Sequence, residues 1–263
     1  MKRPVITLLT DFGTSDHYVG AMKGVLLTIC PEAVIADITH EVTPYRVAEG
    51  AFKLAQSWAC FPPGTVHVAV VDPGVGGRRR CIAVEAAGHY FVGPDNGIFS
   101  MVLDQTGPAR AYALTEAGFF RNPVSRTFHG RDVFAPVAAH LASGVPAAAF
   151  GPPVPELVRP SSWAPVRTGP GNWTGMVLAV DRFGNIVTNL DSAEFAWLAG
   201  APFLAEAGAL RVTCFADTYE AAPPDRPFLV PGSSGYLEIS LRQASAAGLA
   251  GCAAGIPLIL HAG

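Results

Sequence analysis

Three short apolar runs, VITLLT (5–10), AVIADIT (33–39) and TVHVAVV (65–71), alternate with two stretches of helical apolar spacing, YVGAMKGVLLTIC (18–30) and RVAEGAFKLAQSWACF (46–61). This alternation limits the fold more than any other feature, because strands joined through helices return to the same end of a sheet and run parallel. The second helical stretch is expected to stop at Pro62 and Pro63, since proline lacks the amide hydrogen a helix needs. CIAVEAAGHYFVG (81–93) reads instead as a local hairpin, so the sheet should be largely parallel but mixed. GIFSMVLDQTG and DVFAPVAAHLASG each look helical and close on a glycine suited to a helix C-terminus.

The pattern changes between residues 151 and 171, where GPPVPELVRPSSWAPVRTGPG carries six prolines and no sustained period. Beyond it come GMVLAV, NIVTNL, LRVTCF, PFLV, YLEISL and IPLILH, divided by turn residues such as DRFGN and PGSSG. Short strands at this spacing predict a small barrel or sandwich. The expected organisation is an N-terminal α/β domain over 1–152, a Pro-rich linker over 153–171 and a smaller C-terminal β domain over 172–263.

A chain of 263 residues can bury a core without a disulfide or structural metal. Hydrophobic residues at 50% against 15% charged place it among compact globular proteins, and the low charge fits surface covered by partner subunits. With net charge −3 and one dense basic run, Arg78 to Arg80, no extended cationic face for nucleic acid is expected. Five scattered cysteines without a CxxC pair suggest reduced thiols. The start MKRPVITLLTD meets Asp11 too early for a signal peptide, and no segment is long and apolar enough to span a bilayer, so a soluble cytoplasmic protein is expected.

Ligands of open α/β sheets sit beyond the carboxyl ends of the strands. Asp11 follows the first strand and Asp72 the third, so both should lie at one sheet edge, with Asp16 close in sequence. VVDPGVGGRRR could cradle a phosphate, but it lacks the GK[ST] ending of a P-loop; otherwise Pro73 and Gly74 make a turn, with Arg78 and Arg80 facing water. TFHGRDVFAP places His129 and Asp132 before a helix, where Asp132 suits free backbone N–H groups and His129 is either structural or turned to a pocket. Asp95 with Asn96, and Asp181 with Asn185, carry turn signatures, while Ser233 and Ser234 sit in a glycine-flanked loop able to receive a carboxylate. No HExxH, GxSxG or paired-cysteine motif is present. Asp11, Asp16, His17, Asp72, His129 and Asp132 have the atoms for a divalent metal, though not a diagnostic spacing. The residues alone thus indicate a two-domain soluble protein with a polar site at one sheet edge.

Seven ordered blocks, LLTDFGTSDHYVGAMKG, DITHEVTPY, FPPGTVHVAVVDPGVGGRRR, VGPDNGIFS, TFHGRDVFAP, VDRFGNIVTN and SSGYLEI, closely resemble the S-adenosyl-L-methionine hydroxide adenosyltransferases, relatives of the fluorinases and chlorinases. The resemblance implies attack of activated water on the ribose C5′ of S-adenosyl-L-methionine, releasing adenosine and L-methionine. It implies neither metal nor cofactor beyond the substrate. The family's water-activating set falls on Asp72, Arg79 and His129, with the guanidinium steadying negative charge on oxygen and the other two orienting the water, either of them able to accept its proton. By the same resemblance Asp11 binds the ribose hydroxyls, Tyr45 and Tyr219 pack on ribose or adenine, and Asn185 bonds the adenine edge. Asp16 and Asp181 meet the methionine ammonium, and Ser233 and Ser234 its carboxylate; some halogenating relatives have an arginine at position 234. The hydroxide-type pattern at Asp72 and His129 makes halogenation unexpected. The resemblance also implies a homotrimer with each ligand between the α/β domain of one subunit and the β domain of its neighbour. Two other readings remain for the sequence, a metal-dependent phosphoester hydrolase and a non-catalytic sensor that binds S-adenosyl-L-methionine.

Overall fold

The computed structural model describes residues 3–160 and 163–263. The chain divides into two compact units, Met1–Pro160 and Ser161–Gly263.

The first unit holds strands β1 (Val5–Thr10), β2 (Val34–Thr39), β3 (Val66–Val70), β4 (Cys81–Ala86), β5 (His89–Pro94) and β6 (Ala109–Ala113). Its helices are α1 (Tyr18–Ile29), α2 (Val47–Ala55), α3 (Ser100–Thr106) and α4 (Ala135–Ala142). The sheet runs in the order β2-β1-β3-β5-β4-β6. β2, β1, β3 and β5 are parallel, whereas β4 runs antiparallel to both its neighbours. The sheet is therefore largely parallel and mixed. Helices α1 and α4 pack on one face, where Ile6, Leu8, Val66 and Val68 meet Met22, Leu26, Val137 and Leu141 in one buried cluster. On the other face Gly50 of α2 lies against Leu9, Val71 and Ile98. Burial on both faces explains the unbroken apolar text of β1 and β3.

The stretch 46–61 is one helix less long than its text suggests. α2 ends at Ala55, where the Ser57 hydroxyl donates to the Lys53 and Leu54 carbonyls, and a short 3₁₀ turn follows at Trp58–Cys60. Ahead of α4 the chain makes a π-helical turn, Gly130–Phe134. β6 is a strand the sequence pattern does not announce: ARAYA offers few branched or large residues, and its pairing with β4 supplies the order.

The second unit is an antiparallel, barrel-like sheet of β7 (Val166–Gly169), β8 (Asn172–Val180), β9 (Ile186–Asp191), β10 (Phe203–Ala207), β11 (Leu210–Val212), β12 (Phe228–Pro231), β13 (Tyr236–Ser240) and β14 (Pro257–Ala262), with a short α-helix, α5 (Ala246–Ala250), and a 3₁₀ turn at Ala196–Gly200. The order is β11-β10-β14-β8-β9-β13-β12, with β7 added beside β8. β8 pairs with β14 along Asn172–Met176 and with β9 along Val177–Val180, so one long strand serves both halves. β7 falls within the stretch read as a linker; Ser161 and Ser162 of that stretch lie outside the described residues. Among the described residues no helix is long and apolar enough to cross a membrane.

A polar chain is buried inside the first unit. Thr7 and His67 are register partners on β1 and β3, joined Oγ1 to Nδ1 at 2.8 Å, and His67 Nε2 lies 3.1 Å from His89 Nδ1. Burial first, and then the neighbouring His89, lowers the His67 pKa from 6.5 to about 3. The unfolded chain therefore binds this proton more readily than the folded one. The stability contributed is fully present above pH 6.5 and is lost as pH falls towards about 3. Denaturation midpoints should fall with pH in that window, and His67→Gln should flatten the slope; an identical slope in the variant would contradict the assignment.

Candidate active site

The direction of β4 creates the site. β1 and β3 are parallel and Thr10 is the partner of Val70, so Asp11 and Asp72 emerge together at the carboxyl edge of the sheet. β4 runs the other way, with Cys81 opposite Pro94 at the end of β5. The loop 71–80 thus leaves from this edge and returns to it, which brings Arg79 back over Asp72. Asn96 holds the base of the loop by donating to the Val71 carbonyl at 2.8 Å.

Arg79 spans the Asp72 carboxylate. Its Nε lies 3.1 and 3.0 Å from the two carboxylate oxygens, and its Nη2 lies 2.5 Å from Oδ2. The same Nη2 donates to His129 Nδ1 at 2.8 Å. Both charged side chains are nearly out of water, at 11% exposure for Arg79 and 5% for Asp72. Burial is the largest single influence and works against the Arg79 charge, but the hydrogen bond to Asp72 together with the charge attraction around the guanidinium holds its pKa above the ordinary value. His129 shifts the opposite way: burial, then the Arg79 cation, lowers its pKa. The ring is therefore neutral at neutral pH, and because Nδ1 accepts from Arg79 its proton resides on Nε2.

His129 reaches this position because two loops approach closely. Gly76 has φ +74°, and a Cβ there would collide with the Arg126 carbonyl oxygen. The second loop is held by Asp132, fully buried, which pairs with Arg131 at 2.6 Å and accepts from the Ser125 amide at 2.8 Å. Asp132 is thus a loop anchor rather than a cap on free helix amides. Arg80 does not simply face water: it bonds the buried Asp95 at 2.7 Å and the Glu156 carbonyl at 2.7 Å.

Asp11 Oδ2 accepts from the Tyr45 amide at 2.9 Å. Burial raises the Asp11 pKa, partly offset by that bond. Tyr45 is held at φ +68° and is exposed, at 72% for the residue. Asp16 is exposed. Asp72, Arg79 and His129 are brought into direct contact, Asp11 stands near Asp72, and Tyr45 is fixed through Asp11.

The other candidates gather in the second unit around a cavity of about 690 Å³. Asp181, Asn185, Tyr219 and Ser233 line it; Ser234 does not, and its buried hydroxyl has no hydrogen-bond partner. Asp181 accepts from the amides of Phe183 and Asn185 and from the Asn185 side chain, each at 2.8 Å. The wall also includes Glu238, which accepts from the Tyr219 hydroxyl at 2.7 Å. Burial, and then the bond to Glu238, pushes the Tyr219 pKa up to about 12. Glu238 was not singled out from sequence, although a carboxylate inside the buried run YLEIS is a visible signal. Cys81 was likewise missed: it follows three arginines and its sulfur touches Arg79 at 3.1 Å. Among the described residues no three His, Cys, Asp or Glu side chains are gathered so as to hold a metal ion.

The family model described as the SAM hydroxide adenosyltransferase N-terminal domain matches residues 6–151, and that of the C-terminal domain matches 175–259. An (R)-S-adenosyl-L-methionine hydrolase of Salinispora arenicola is 40% identical over 264 residues, covering 99% of this chain and 98% of that protein. One from Thermus thermophilus is 37% identical, covering 98% and 99%. A fluorinase of an Actinoplanes species is 30% identical over 73% of each chain. A crystal structure of a protein from Thermotoga maritima superposes with a TM-score of 0.86 at 33% identity, covering 97% of this chain and 99% of the other.

Gly76→Ala should destabilise the protein by about 1–2 kcal/mol from the left-handed backbone alone, and further through the collision with Arg126. An unchanged denaturation midpoint would contradict this account of the loop packing.

Proposed function

We infer from one established fact, that this chain belongs to the SAM hydroxide adenosyltransferase family, that it hydrolyses S-adenosyl-L-methionine to adenosine and L-methionine. The observation that carries the assignment to a site is the Asp72–Arg79–His129 contact at the carboxyl edge of the sheet.

Methionine leaves as a neutral thioether from a sulfonium, so departure needs no general acid. The chemical demand is an in-line water that loses a proton as its oxygen bonds to C5′. Asp72 is the anion of the set and takes the role of proton acceptor. It need be basic enough only for a water already acidified by partial C–O bond formation. His129, neutral and protonated on Nε2, serves as a hydrogen-bond donor to orient the water. Arg79 fixes both partners and steadies the negative charge that builds on oxygen.

Binding roles follow the same reading. Asp11 takes the ribose hydroxyls with acceptor capacity left beyond its bond to Tyr45, and the exposed Tyr45 ring offers an apolar face to the ribose or adenine. Asn185 and Tyr219 are assigned to the nucleoside, Asp16 and Asp181 to the methionine ammonium, and Ser233 with Ser234 to its carboxylate. The cavity holding Asp181, Asn185, Tyr219 and Ser233 supports this grouping. Assembly as a homotrimer and residence in the cytoplasm belong to the same proposal. The five free thiols suit a reducing compartment.

Purified protein in excess chelator should convert S-adenosyl-L-methionine to equimolar adenosine and methionine, separated by chromatography. Arg79→Ala should lower kcat by about 10²–10³-fold while calorimetry still detects substrate binding. Wild-type kinetics in that variant would remove Arg79 from the mechanism. Light scattering should give the molar mass of three subunits, and a single-subunit mass would contradict the trimer.

A further inference from the structure

We infer that Cys81 is a positioning residue of the reaction centre: its sulfur accepts the outer edge of the Arg79 fork and so fixes His129 with Nδ1 as acceptor and the proton on Nε2. The inference rests on the proposed hydrolysis and extends it to a residue outside the Asp-Arg-His set.

The donor inventory of Arg79 leads to Cys81. Nε and Nη2 are committed to Asp72, and Nη2 also reaches His129. Nη1 remains, and it donates to Cys81 Sγ at 3.1 Å. A nearly buried guanidinium with an idle edge would lose hydration without replacement. The sulfur is also 3.7 Å from His129 Nδ1, so the thiol borders both the cation and the ring.

Three features make Cys81 a fixed support. It opens β4 opposite Pro94, and its carbonyl accepts from the Leu114 amide at 2.8 Å, so the backbone is paired on both sides. Burial raises the thiol pKa, although Arg79 opposes this, so sulfur remains a neutral acceptor and does not compete with Asp72 for the cation. The groups facing His129 are Arg79, Asp72, Asp132, Cys81 and the Phe134 ring. A proton on Nδ1 would point at the Arg79 N–H, whereas a proton on Nε2 leaves the contact intact.

The test combines kinetics with ring-nitrogen NMR of His129 in the intact protein. Cys81→Ala should lower kcat by about 10–10²-fold with KM for S-adenosyl-L-methionine little changed, and Cys81→Ser, which keeps an acceptor, should recover most of the loss. Wild-type His129 should show a bare Nδ1 and a protonated Nε2. Cys81→Ala should mix the tautomers and move the ring pKa back towards 6.5, its ordinary value. Equal losses in Ala and Ser with an unchanged tautomer would reduce Cys81 to packing and overturn the inference. Wild-type kcat in Cys81→Ala would do the same. Should Cys81→Ala fail to fold, the wild-type spectrum still decides: a proton on Nδ1 overturns the arrangement. If the wild-type protein does not hydrolyse S-adenosyl-L-methionine, the functional reading falls while the tautomer still tests the geometry.

Discussion

A guanidinium and a carboxylate nearly removed from water, Arg79 on Asp72, set the terms for the surrounding structure. Taking two such ions out of water costs several kcal/mol each, and attraction offsets this only with good geometry and further hydrogen bonds. The chain supplies both. β4 reverses direction so that Arg79 returns to the edge from which Asp72 departs, and Asn96 holds the loop at its base. Gly76 lets a second loop approach within backbone contact, and Asp132 anchors that loop by side-chain and backbone bonds. The remaining edges of the guanidinium go to His129 and Cys81.

The same pairing divides chemical labour among residues that look interchangeable in a list. Arg79 fills the Nδ1 lone pair of His129 and, together with burial, opposes protonation of the ring, so histidine acts as donor and aspartate as acceptor. The second unit solves a different problem. Its cavity carries Asp181 and Glu238 and, among the described residues, is lined by no basic side chain, a setting that favours a cationic or hydrogen-bond-donating ligand. Asp181 is tied to its own turn and Glu238 to Tyr219, so both carboxylates are ordered before a ligand arrives.

Much of this is legible in the text of the chain, for physical reasons. Parallel strands buried on both faces write themselves as continuous apolar runs, which makes β1 and β3 readable and places Asp11 and Asp72 at one edge. β6 and β10 are short and rich in alanine, so their order comes from neighbours rather than from propensity. The end of α2 depends on one hydroxyl, that of Ser57, folding back on two carbonyls. Roles that depend on long-range approach were the least legible. Asp132 looks like a helix cap and is a loop anchor; Arg80 looks solvated and pairs with Asp95; Cys81 looks like a small strand residue and meets the reaction centre.

The most direct test of the central claim is to incubate the metal-stripped protein with S-adenosyl-L-methionine in oxygen-18 water and weigh the products by mass spectrometry. The account predicts adenosine carrying one heavy oxygen at C5′ together with unlabelled methionine. Unlabelled adenosine, or intact S-adenosyl-L-methionine despite demonstrated binding, would contradict attack by water at this site.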